Sequence, residues 1–493
     1  MTKLSISQES IAQYAGDALV VGMPEGQLTG QLQALDKILG GAISRLVERK
    51  QFTGEPLKVR TITTLGKLPT PYVILVGLGK EPNLHLLRKA AGSTARICRD
   101  LGAKKAGTAL LSAAVEGSVK AKAQAVAEGA LLGLYQFTKY KTVDKDKQKF
   151  LDNMELLVDA DKADVEEGSR RGSVIATNVR LTRDLVNEPA SSLYPEKMEE
   201  AVRNALKDLP VKLTAYGKKD LEKMGMGGIL AVNKGSVREP RLLVLDYEGA
   251  KGAPLALVGK GVTFDSGGLS LKPADYMEDM KSDMAGAAAV FAAIKSAAEL
   301  KLPVHVLGFL SVTENLPGGD AYKPGDIIKA YNGKTIEVLN TDAEGRIVLA
   351  DALSYAETFK PSAIIDLATL TGACVVALGN VASGVMGTDQ KLISTVLDAA
   401  GHTDDRAWQL PLYDEYSDMM KSDFADLKNI SGKSGGAGAE TGAAFLKAFV
   451  DKTPWCHLDI AGPAWIEKDG PLNVSGGTGA GVRLLVRLLE DWK

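Results

Sequence analysis

The sequence predicts an α/β protein of two domains, each with a mainly parallel or mixed sheet flanked by helices. Three observations support this fold class. The chain has 493 residues, which is more than one ordinary domain holds. Short apolar runs alternate with longer segments of helical spacing, as strands and helices do in α/β proteins. A polar stretch at 144–153 and an acidic stretch at 159–167 interrupt this alternation.

The interruption locates the domain boundary, which we place near residue 165. We expect an N-terminal domain over 1–165, a connecting helix over 166–186 and a C-terminal domain over 187–493. Residues 168–186 have helical spacing, and Pro189 would stop the helix because proline cannot donate a backbone hydrogen bond.

The N-terminal domain is expected to contain short buried strands and longer helices. The expected strands are 19–22, 72–79 and 108–112, and the expected helices are 32–47, 86–101 and 119–135. The sequence of this domain contains no group of residues that suggests a catalytic site.

The C-terminal domain repeats the alternation and carries the candidate site. The expected strands are 242–246, 254–258, 304–312, 335–339, 364–369 and 458–461, and the expected helices are 284–300, 345–359 and 479–489. Lys260, Asp342 and Thr369 would then each lie at the carboxyl end of a strand. Open α/β sheets bind ligands at that edge, so we expect the site there.

Charge and composition exclude several classes of protein. Hydrophobic residues make up 45% of the chain and the formal net charge is −2, so the whole chain is not a polycation that would bind nucleic acid. Residues 1–165 nevertheless hold 23 Lys and Arg against 17 Asp and Glu, a net charge of +6. A solvated surface is the favoured interpretation of this excess, and DNA binding by the N-terminal domain is the alternative.

Cysteine usage and hydropathy indicate the compartment. The three cysteines lie far apart in sequence, which does not suggest a disulfide framework and is typical of a reducing cytosol. The first residues lack the apolar core of a signal peptide, and no apolar run is long enough to span a membrane. We therefore expect a cytoplasmic protein that does not enter the membrane.

The candidate site combines two segments, 258–283 and 340–346. They bring together four acidic residues, Asp265, Asp283, Asp342 and Glu344, among glycines and apolar runs. Carboxylates at contact distance repel one another unless they are protonated or neutralised by a cation. Taken singly, each acid is best interpreted as a surface charge, but together they predict bound metal ions.

The ligand types indicate which metals would bind. None of the four histidines lies within twenty residues of the acidic cluster, so the ligands are mostly oxygen atoms. Oxygen ligands suit Mg²⁺ and Mn²⁺ and also accept Zn²⁺. Four carboxylates exceed the needs of one ion and match two ions that share bridging carboxylates.

Nearby cations suggest further roles. Lys260 is either an ion-pair partner of the carboxylates or, once deprotonated beside a metal, a ligand, and its residue type does not decide between these. Lys272 is suited to binding an oxygen that becomes negative in the transition state, and Arg346 to holding a small anion. Lys281 is expected to face solvent. The residues of the cluster provide no general base.

The two segments of the candidate site contain N-T-D-A-E-G-R at 340–346, G-K-G-x-T-F-D-S-G-G at 259–268 and K-x-D at 281–283, and D-L-A-T-L-T-G-A follows at 366–373. In sequence, order and spacing these motifs resemble those of the leucyl (cytosol) aminopeptidases, a family of dinuclear metallo-exopeptidases. The resemblance covers about residues 170–493, and the N-terminal domain agrees in size and α/β character.

The resemblance implies a site with two divalent ions, Mn²⁺ or Zn²⁺, and assigns their ligands. Asp265 and Glu344 would bridge the ions. Asp342 would complete the more exchangeable site, and Lys260 and Asp283 the tighter one.

The resemblance also implies catalytic and substrate-binding roles. Lys272 would polarise the scissile carbonyl, and Arg346 would hold a bicarbonate ion that acts as the missing base. Substrates would be peptides with a free N-terminus, preferably leucine. The pocket for the N-terminal side chain would contain Met280, Thr369, Gly372, Ala461 and Ala464.

The resemblance also implies an assembly, and the candidate metal ligands leave an alternative enzyme open. The family forms homohexamers, and some bacterial members bind DNA, so the N-terminal domain is expected to serve assembly or regulation. A dinuclear phosphoesterase is the alternative enzyme, because paired metal ions also catalyse phosphoryl transfer.

Overall fold

The computed structural model describes residues 2–26, 28, 30–159, 162–432 and 435–492. It confirms the α/β class and divides the chain into two compact units. The first unit is Met1–Arg180 with Lys468–Val474, and the second is Leu181–Glu467 with Ser475–Lys493. No helix in these described ranges is both long enough and apolar enough to cross a membrane.

The first unit contains a six-stranded sheet and four complete helices. Its strands are β1 (Lys3–Ser7), β2 (Ala18–Met23), β3 (Val59–Thr63), β4 (Tyr72–Gly77), β5 (Lys105–Thr108) and β6 (Asn153–Leu157). Its helices are α1 (Gln31–Ile38), α2 (Ala42–Glu48), α3 (Leu84–Asp100) and α4 (Val119–Gly133), and the division between the units falls inside α5 (Lys162–Asn187).

The sheet of the first unit has the order β1-β6-β5-β2-β4-β3 and is parallel except at β3. Alternate residues of a strand point to opposite faces. Val20 of β2 accordingly packs in the core with α3 and α4, whereas Leu19 packs in a second core with α1 and α2. The sheet is therefore covered on both faces.

Two expectations for the first unit are wrong in detail. The helix expected over 32–47 is two helices, because Gly40 and Gly41 adopt positive φ angles of 68° and 77° between them. Such angles suit glycine and end a helix. The strand expected over 108–112 ends at Thr108, and a short 3₁₀ turn follows over Leu110–Ser112.

The second unit contains an eight-stranded sheet, two small sheets and ten helices in the described residues. Its strands are β7 (Lys212–Tyr216), β8 (Arg241–Glu248), β9 (Leu255–Asp265), β10 (His305–Asn315), β11 (Ile327–Lys329), β12 (Thr335–Glu337), β13 (Ala363–Ala368), β14 (Ser383–Gly387), β15 (Ala407–Gln409), β16 (Leu427–Lys428), β17 (Trp455–Asp459), β18 (Trp465–Ile466) and β19 (Gly476–Gly477). Its helices are α6 (Pro195–Leu206), α7 (Lys218–Met224), α8 (Gly227–Asn233), α9 (Ala285–Leu300), α10 (Gly345–Glu357), α11 (Gly372–Leu378), α12 (Gln390–Thr403), α13 (Asp414–Asp418), α14 (Gly438–Lys447) and α15 (Val482–Asp491).

The large sheet has the order β15-β14-β17-β13-β9-β10-β8-β7. Its four central strands, β17, β13, β9 and β10, are parallel, and the flanking pairs β14–β17 and β10–β8 are antiparallel. Helices α8, α10 and α14 pack on one face, and α9 and α15 on the other. The carboxyl ends of the parallel strands therefore meet at one edge of a fully covered sheet.

Two strands near the site differ from expectation. The strand expected to end at residue 258 continues to Asp265, so Lys260 lies inside β9 and not in a loop. Gly259 is needed within the strand because a Cβ there would come within 2.5 Å of the backbone of Ala287 in α9. The strand before Asp342 is β12, which belongs to a separate three-stranded sheet with β11 and β16.

A buried carboxylate in α10 is expected to make stability depend on pH. Asp351 accepts hydrogen bonds from the backbone N–H groups of Ile229 (2.9 Å) and Tyr331 (2.8 Å), and burial raises its pKa to about 7. The folded state holds this proton more tightly than the unfolded state does, so between about pH 4 and 7 stability falls as pH rises. We expect Asp351→Asn to remove this pH dependence of the free energy of unfolding, which is at most roughly 1.4 kcal/mol per pH unit. The measurement is the free energy of unfolding of wild type and variant across pH 4.5–7.5.

Asp426 provides the matched control for that measurement. Its carboxylate is exposed and accepts hydrogen bonds from the backbone and hydroxyl of Thr335, which lower its pKa. The stability that it contributes is lost only as pH falls through the lowered pKa. Asp426→Asn should leave the slope of unfolding free energy against pH unchanged above pH 4.5. If wild type and Asp351→Asn had similar slopes, Asp351 would not titrate as described.

Candidate metal centre

The acidic residues of the candidate site converge at the carboxyl edge of the large sheet. Asp265 is the last residue of β9, and Asp283 follows a 3₁₀ turn just before α9 begins. Asp342 and Glu344 lie between β12 and α10, with Glu344 directly before the first residue of that helix. Three segments that are distant in sequence thus supply the four carboxylates of one cluster.

Three of the carboxylates can reach a common point. One oxygen atom from each of Asp265, Asp342 and Glu344 lies within 4.8 Å of the others. Asp265 is only 2% exposed and Glu344 only 1%. Burial, followed by the charge of Asp265, raises the pKa of both Glu344 and Asp342. The cluster therefore has an excess of negative charge that a cation would relieve.

Lys260 connects Asp283 to this cluster. Its Nζ lies 2.7 Å from Asp283 Oδ1 and 2.9 Å from Glu344 Oε1, and it also donates to the carbonyl of Thr369 at 2.9 Å. Burial alone would lower the pKa of Lys260, but the carboxylates outweigh it and the pKa is raised. The structure thus shows the ion-pair arrangement, which is one of the two alternatives that the sequence left open.

Lys272 contacts the other side of the cluster. Its Nζ lies 2.9 Å from Asp265 Oδ2 and also pairs with Asp342 Oδ1. Burial would lower the pKa of Lys272, and the surrounding carboxylates raise it. Two ammonium groups against four carboxylates leave a net negative charge in a largely buried site.

Two carboxylate oxygen atoms indicate that the cluster could hold metal ions. Asp283 Oδ2 and Glu344 Oε2 are buried and accept no hydrogen bond from the described residues. A buried oxygen without a partner is destabilising, and a divalent cation would provide one. The donor set, which is rich in oxygen and holds one amine, suits Mn²⁺, Mg²⁺ or Zn²⁺. The residues present therefore fit a divalent metal site.

A neutral side chain that sequence reasoning missed holds Asp265 in place. Asn315, the last residue of β10, donates from Nδ2 to Asp265 Oδ1 at 2.8 Å and to the carbonyl of Thr341 at 2.9 Å. Tyr322 donates to the same carbonyl at 2.6 Å. Asn315 could have been identified from its position at the end of a strand beside β9. It was missed because an amide is uncharged, and the residues predicted for the cluster were selected by their charge.

Arg346 lies in the first turn of α10, close to the acids. Its Nη1 donates to the carbonyl of Asn429 at 2.8 Å, while its Nε is buried with no hydrogen-bond partner in the described residues. Burial lowers the pKa of this guanidinium to about 10, although the charges of Glu344 and Asp459 oppose that change. The group remains charged at neutral pH, and its Nε is a buried donor for which the described residues provide no acceptor.

Lys281 was expected to face solvent, and it is half-buried with its ammonium hydrogen-bonded. Its Nζ donates to the carbonyl of Asn187 at 2.9 Å and lies 5.7 Å from the centre of the Trp465 ring. Burial lowers its pKa. Because the side chain can place its methylene groups against an aromatic ring while its ammonium donates to a carbonyl, it fits a half-buried position.

The residues expected to form a substrate pocket come from three neighbouring segments. Met280 begins the 3₁₀ turn before Asp283, and Thr369 Oγ1 donates to Asp283 Oδ1 at 2.7 Å. Gly372 is the exposed first residue of α11, and Ala461 and Ala464 follow β17. Thr369 is thus in direct contact with a candidate metal ligand, whereas the other four belong to segments that lie beside it.

Family comparisons cover most of the chain. The model of the cytosol aminopeptidase family, catalytic domain, matches residues 180–486. The model of the cytosol aminopeptidase family, N-terminal domain, matches residues 20–144. Both halves of the sequence are therefore matched, including the N-terminal part whose motifs had suggested no function.

Individual relatives match along nearly the full length. A probable cytosol aminopeptidase of Geobacter sp. (strain M21) is 46% identical over 493 residues, 99% of each chain. The cytosol aminopeptidase of Pseudomonas aeruginosa (strain PAO1) is 45% identical over 96% of each chain.

Two solved structures have the same fold. The bottromycin maturation enzyme BotP in complex with Mn matches with a TM-score of 0.85 and 34% identity, covering 97% of this chain and 99% of that one. A mutant of tomato leucine aminopeptidase matches with a TM-score of 0.88 and 31% identity, covering 99% of this chain and 96% of that one.

Proposed function

The chain belongs to the cytosol aminopeptidase family and is a metal-dependent aminopeptidase, and from that premise we propose that it releases N-terminal residues, preferably leucine, from peptides through two divalent ions. The observation that carries this proposal is the set of carboxylate oxygens of Asp265, Asp342 and Glu344 within 4.8 Å of one another. Mn²⁺ and Zn²⁺ are the proposed ions.

The positions of the side chains support the proposed ligand assignment. Asp265 and Glu344 would hold both ions, Asp342 would help to hold one of them, and Lys260 and Asp283 would help to hold the other. Lys260 lies between Asp283 and Glu344, and Asp342 lies on the opposite side of the cluster with Lys272. Divalent ions bound there would act as Lewis acids on the substrate and would activate water. For Lys260 to become a ligand it must first lose its proton.

Lys272 is proposed to stabilise the oxygen of the scissile carbonyl. Its ammonium now neutralises Asp265 and Asp342. Metal ions bound by these carboxylates would neutralise them in place of the ammonium, which could then contact the substrate. A positioned charged donor beside an oxygen that gains negative charge lowers the barrier to acyl transfer.

Arg346 is proposed to hold a bicarbonate ion that accepts the proton of the attacking water. The buried Nε provides a donor for such an anion, and the guanidinium provides the charge. A base of this kind is needed because the carboxylates of the cluster are assigned to metal ions. The substrate pocket is assigned to Met280, Thr369, Gly372, Ala461 and Ala464.

The remaining proposals concern partners and location. We assign the N-terminal domain, over 1–165, to assembly or regulation, residues 166–186 to a connecting helix and 187–493 to catalysis. A homohexamer in the cytoplasm is the proposed assembly. DNA binding by the N-terminal domain is a separate hypothesis that a mobility shift at low and high salt would test, since phosphate contacts weaken as salt rises.

Substrate choice tests the proposed activity. The purified chain loaded with Mn²⁺ or Zn²⁺ should hydrolyse leucyl p-nitroanilide, and thorough chelation should reduce the rate at least about a hundredfold because both substrate and water need the ions. Re-addition of metal should restore the rate. Full activity after metal removal, or hydrolysis of p-nitrophenyl phosphate in place of the peptide analogue, would overturn the proposal.

A further inference from the structure

A buried acid that we have not assigned to metal or catalysis connects two of the three segments of the proposed pocket. Asp459 is the last residue of β17 and is fully buried. Its Oδ1 accepts hydrogen bonds from the backbone N–H groups of Leu370 and Ala461, each at 3.1 Å. Its Oδ2 accepts one from the hydroxyl of Thr371 at 2.7 Å.

These donors belong to the exits of two adjacent parallel strands. Leu370 and Thr371 follow β13, Ala461 follows β17, and Asp459 pairs in register with Ala368. One carboxylate therefore connects two chain segments that leave the sheet side by side. Without it, Leu370 and Ala461 would lose the acceptor that Asp459 provides, and unpaired backbone groups are destabilising where they are shielded from water.

Thr371 extends this connection to the first turn of α11. Its hydroxyl donates to Asp459 and accepts a hydrogen bond from the N–H of Cys374 at 3.0 Å, which caps the helix. The helix begins at Gly372, one of the proposed pocket residues. The orientation of this turn consequently depends on the carboxylate behind it.

The segment 369–371, which leads into this helix, is attached to the candidate metal ligands at its other end. Thr369 donates to Asp283 Oδ1 at 2.7 Å, and its carbonyl accepts from Lys260 at 2.9 Å. The segment is thus fixed at one end by candidate ligands and at the other by Asp459. A change at Asp459 would therefore displace the pocket wall, although Asp459 is not a candidate metal ligand.

We propose that Asp459 is a positioning residue that sets the width of the pocket for the N-terminal side chain, acting through Thr371 and the backbone of Ala461. This inference rests on the proposed function, because it concerns the pocket of that reaction. A carboxylate is suited to the position because it offers two acceptor oxygens to three donors. An asparagine would offer one oxygen and would place an amide donor among donors.

Selectivity between a large and a small N-terminal residue tests the inference. We would measure kcat and KM for leucyl and alanyl p-nitroanilide with Mn²⁺-loaded wild type, Asp459→Asn and Thr371→Val. We expect the leucyl-to-alanyl ratio of kcat/KM to fall about tenfold in both variants, because a displaced pocket wall loses contacts with the larger side chain. Metal content per chain should stay at the wild-type value.

Two matched variants separate positioning from general stability. Thr371→Ser retains the hydroxyl and should keep the wild-type ratio. Asp351→Asn alters another fully buried carboxylate, on α10, that accepts backbone hydrogen bonds, and it should change the pH dependence of stability without changing the ratio.

The outcomes distinguish the inference from its premise. An equal loss on both substrates, or loss of metal in Asp459→Asn and Thr371→Val, would overturn the inference, because the carboxylate would then serve stability or the metal ligands alone. A wild-type ratio in both variants would overturn it as well. Wild type that hydrolyses neither substrate would overturn the proposed function together with the inference.

Discussion

Glu344→Ala is expected to abolish metal binding and aminopeptidase activity together. The side chain is 1% exposed, one oxygen pairs with Lys260, and the other has no hydrogen-bond partner in the described residues. A carboxylate shared by two ions is a ligand to both, so its removal weakens both sites. Since metal ions contribute several kcal/mol to such reactions, kcat/KM should fall at least about a thousandfold.

Stability measurements separate loss of metal from loss of fold. Burial raises the pKa of Glu344, so its charge is unfavourable in the metal-free protein. The metal-free variant should therefore melt no lower than metal-free wild type. Adding Mn²⁺ should raise the melting temperature of wild type, because a ligand that binds only the folded state stabilises it, and should leave that of Glu344→Ala unchanged.

Glu357→Ala is the control for this variant. Glu357 lies at the other end of the same helix, where it accepts hydrogen bonds from the backbone of Asp451 and the hydroxyl of Thr453. Its loss should lower stability and leave metal content and kcat/KM near wild type. Two metal ions per chain in Glu344→Ala, measured by elemental analysis, would show that this carboxylate does not bridge them.

The acidic half of the site could be predicted because charge is visible in a sequence. Four carboxylates beside glycines and strand ends are hard to accommodate without cations, and Asp265, Asp342 and Glu344 do lie together. The α/β class was predictable for a similar reason, since alternating strands and helices each have a characteristic apolar spacing. Both predictions rest on local properties of the chain.

The parts that escaped prediction depend on contacts between distant segments. Lys260 was expected just beyond a strand that ends at residue 258, but β9 continues past it, and Gly259 within the strand lets α9 approach β9. Asn315 forms a hydrogen bond with Asp265 and Asp459 with Leu370, which lie 50 and 89 residues away in sequence. Such roles require the order of strands in the sheet, which local spacing does not contain.

Lys272→Ala is expected to lose rate while it keeps metal. The ammonium competes with cations for Asp265 and Asp342, so removing it should leave metal affinity equal to or higher than that of wild type. The substrate would lose the charged donor proposed for its developing negative charge. Removing one such donor typically reduces kcat by about 10²–10³-fold. Because this contact forms mainly in the transition state, kcat should fall more than KM changes.

Lys281→Ala is the matched control. Lys281 is also a lysine, it is half-buried, and it lies in the short segment that leads from the proposed substrate pocket to Asp283. Its ammonium contacts the carbonyl of Asn187 and none of the four carboxylates in the described contacts, so its removal should preserve kcat and metal content. The comparison requires metal analysis and steady-state kinetics on leucyl p-nitroanilide for both variants. Loss of metal in Lys272→Ala would mean that the ammonium supports the carboxylate cluster and does not compete for it. An unchanged kcat would remove Lys272 from the mechanism and leave the ions alone to stabilise the transition state.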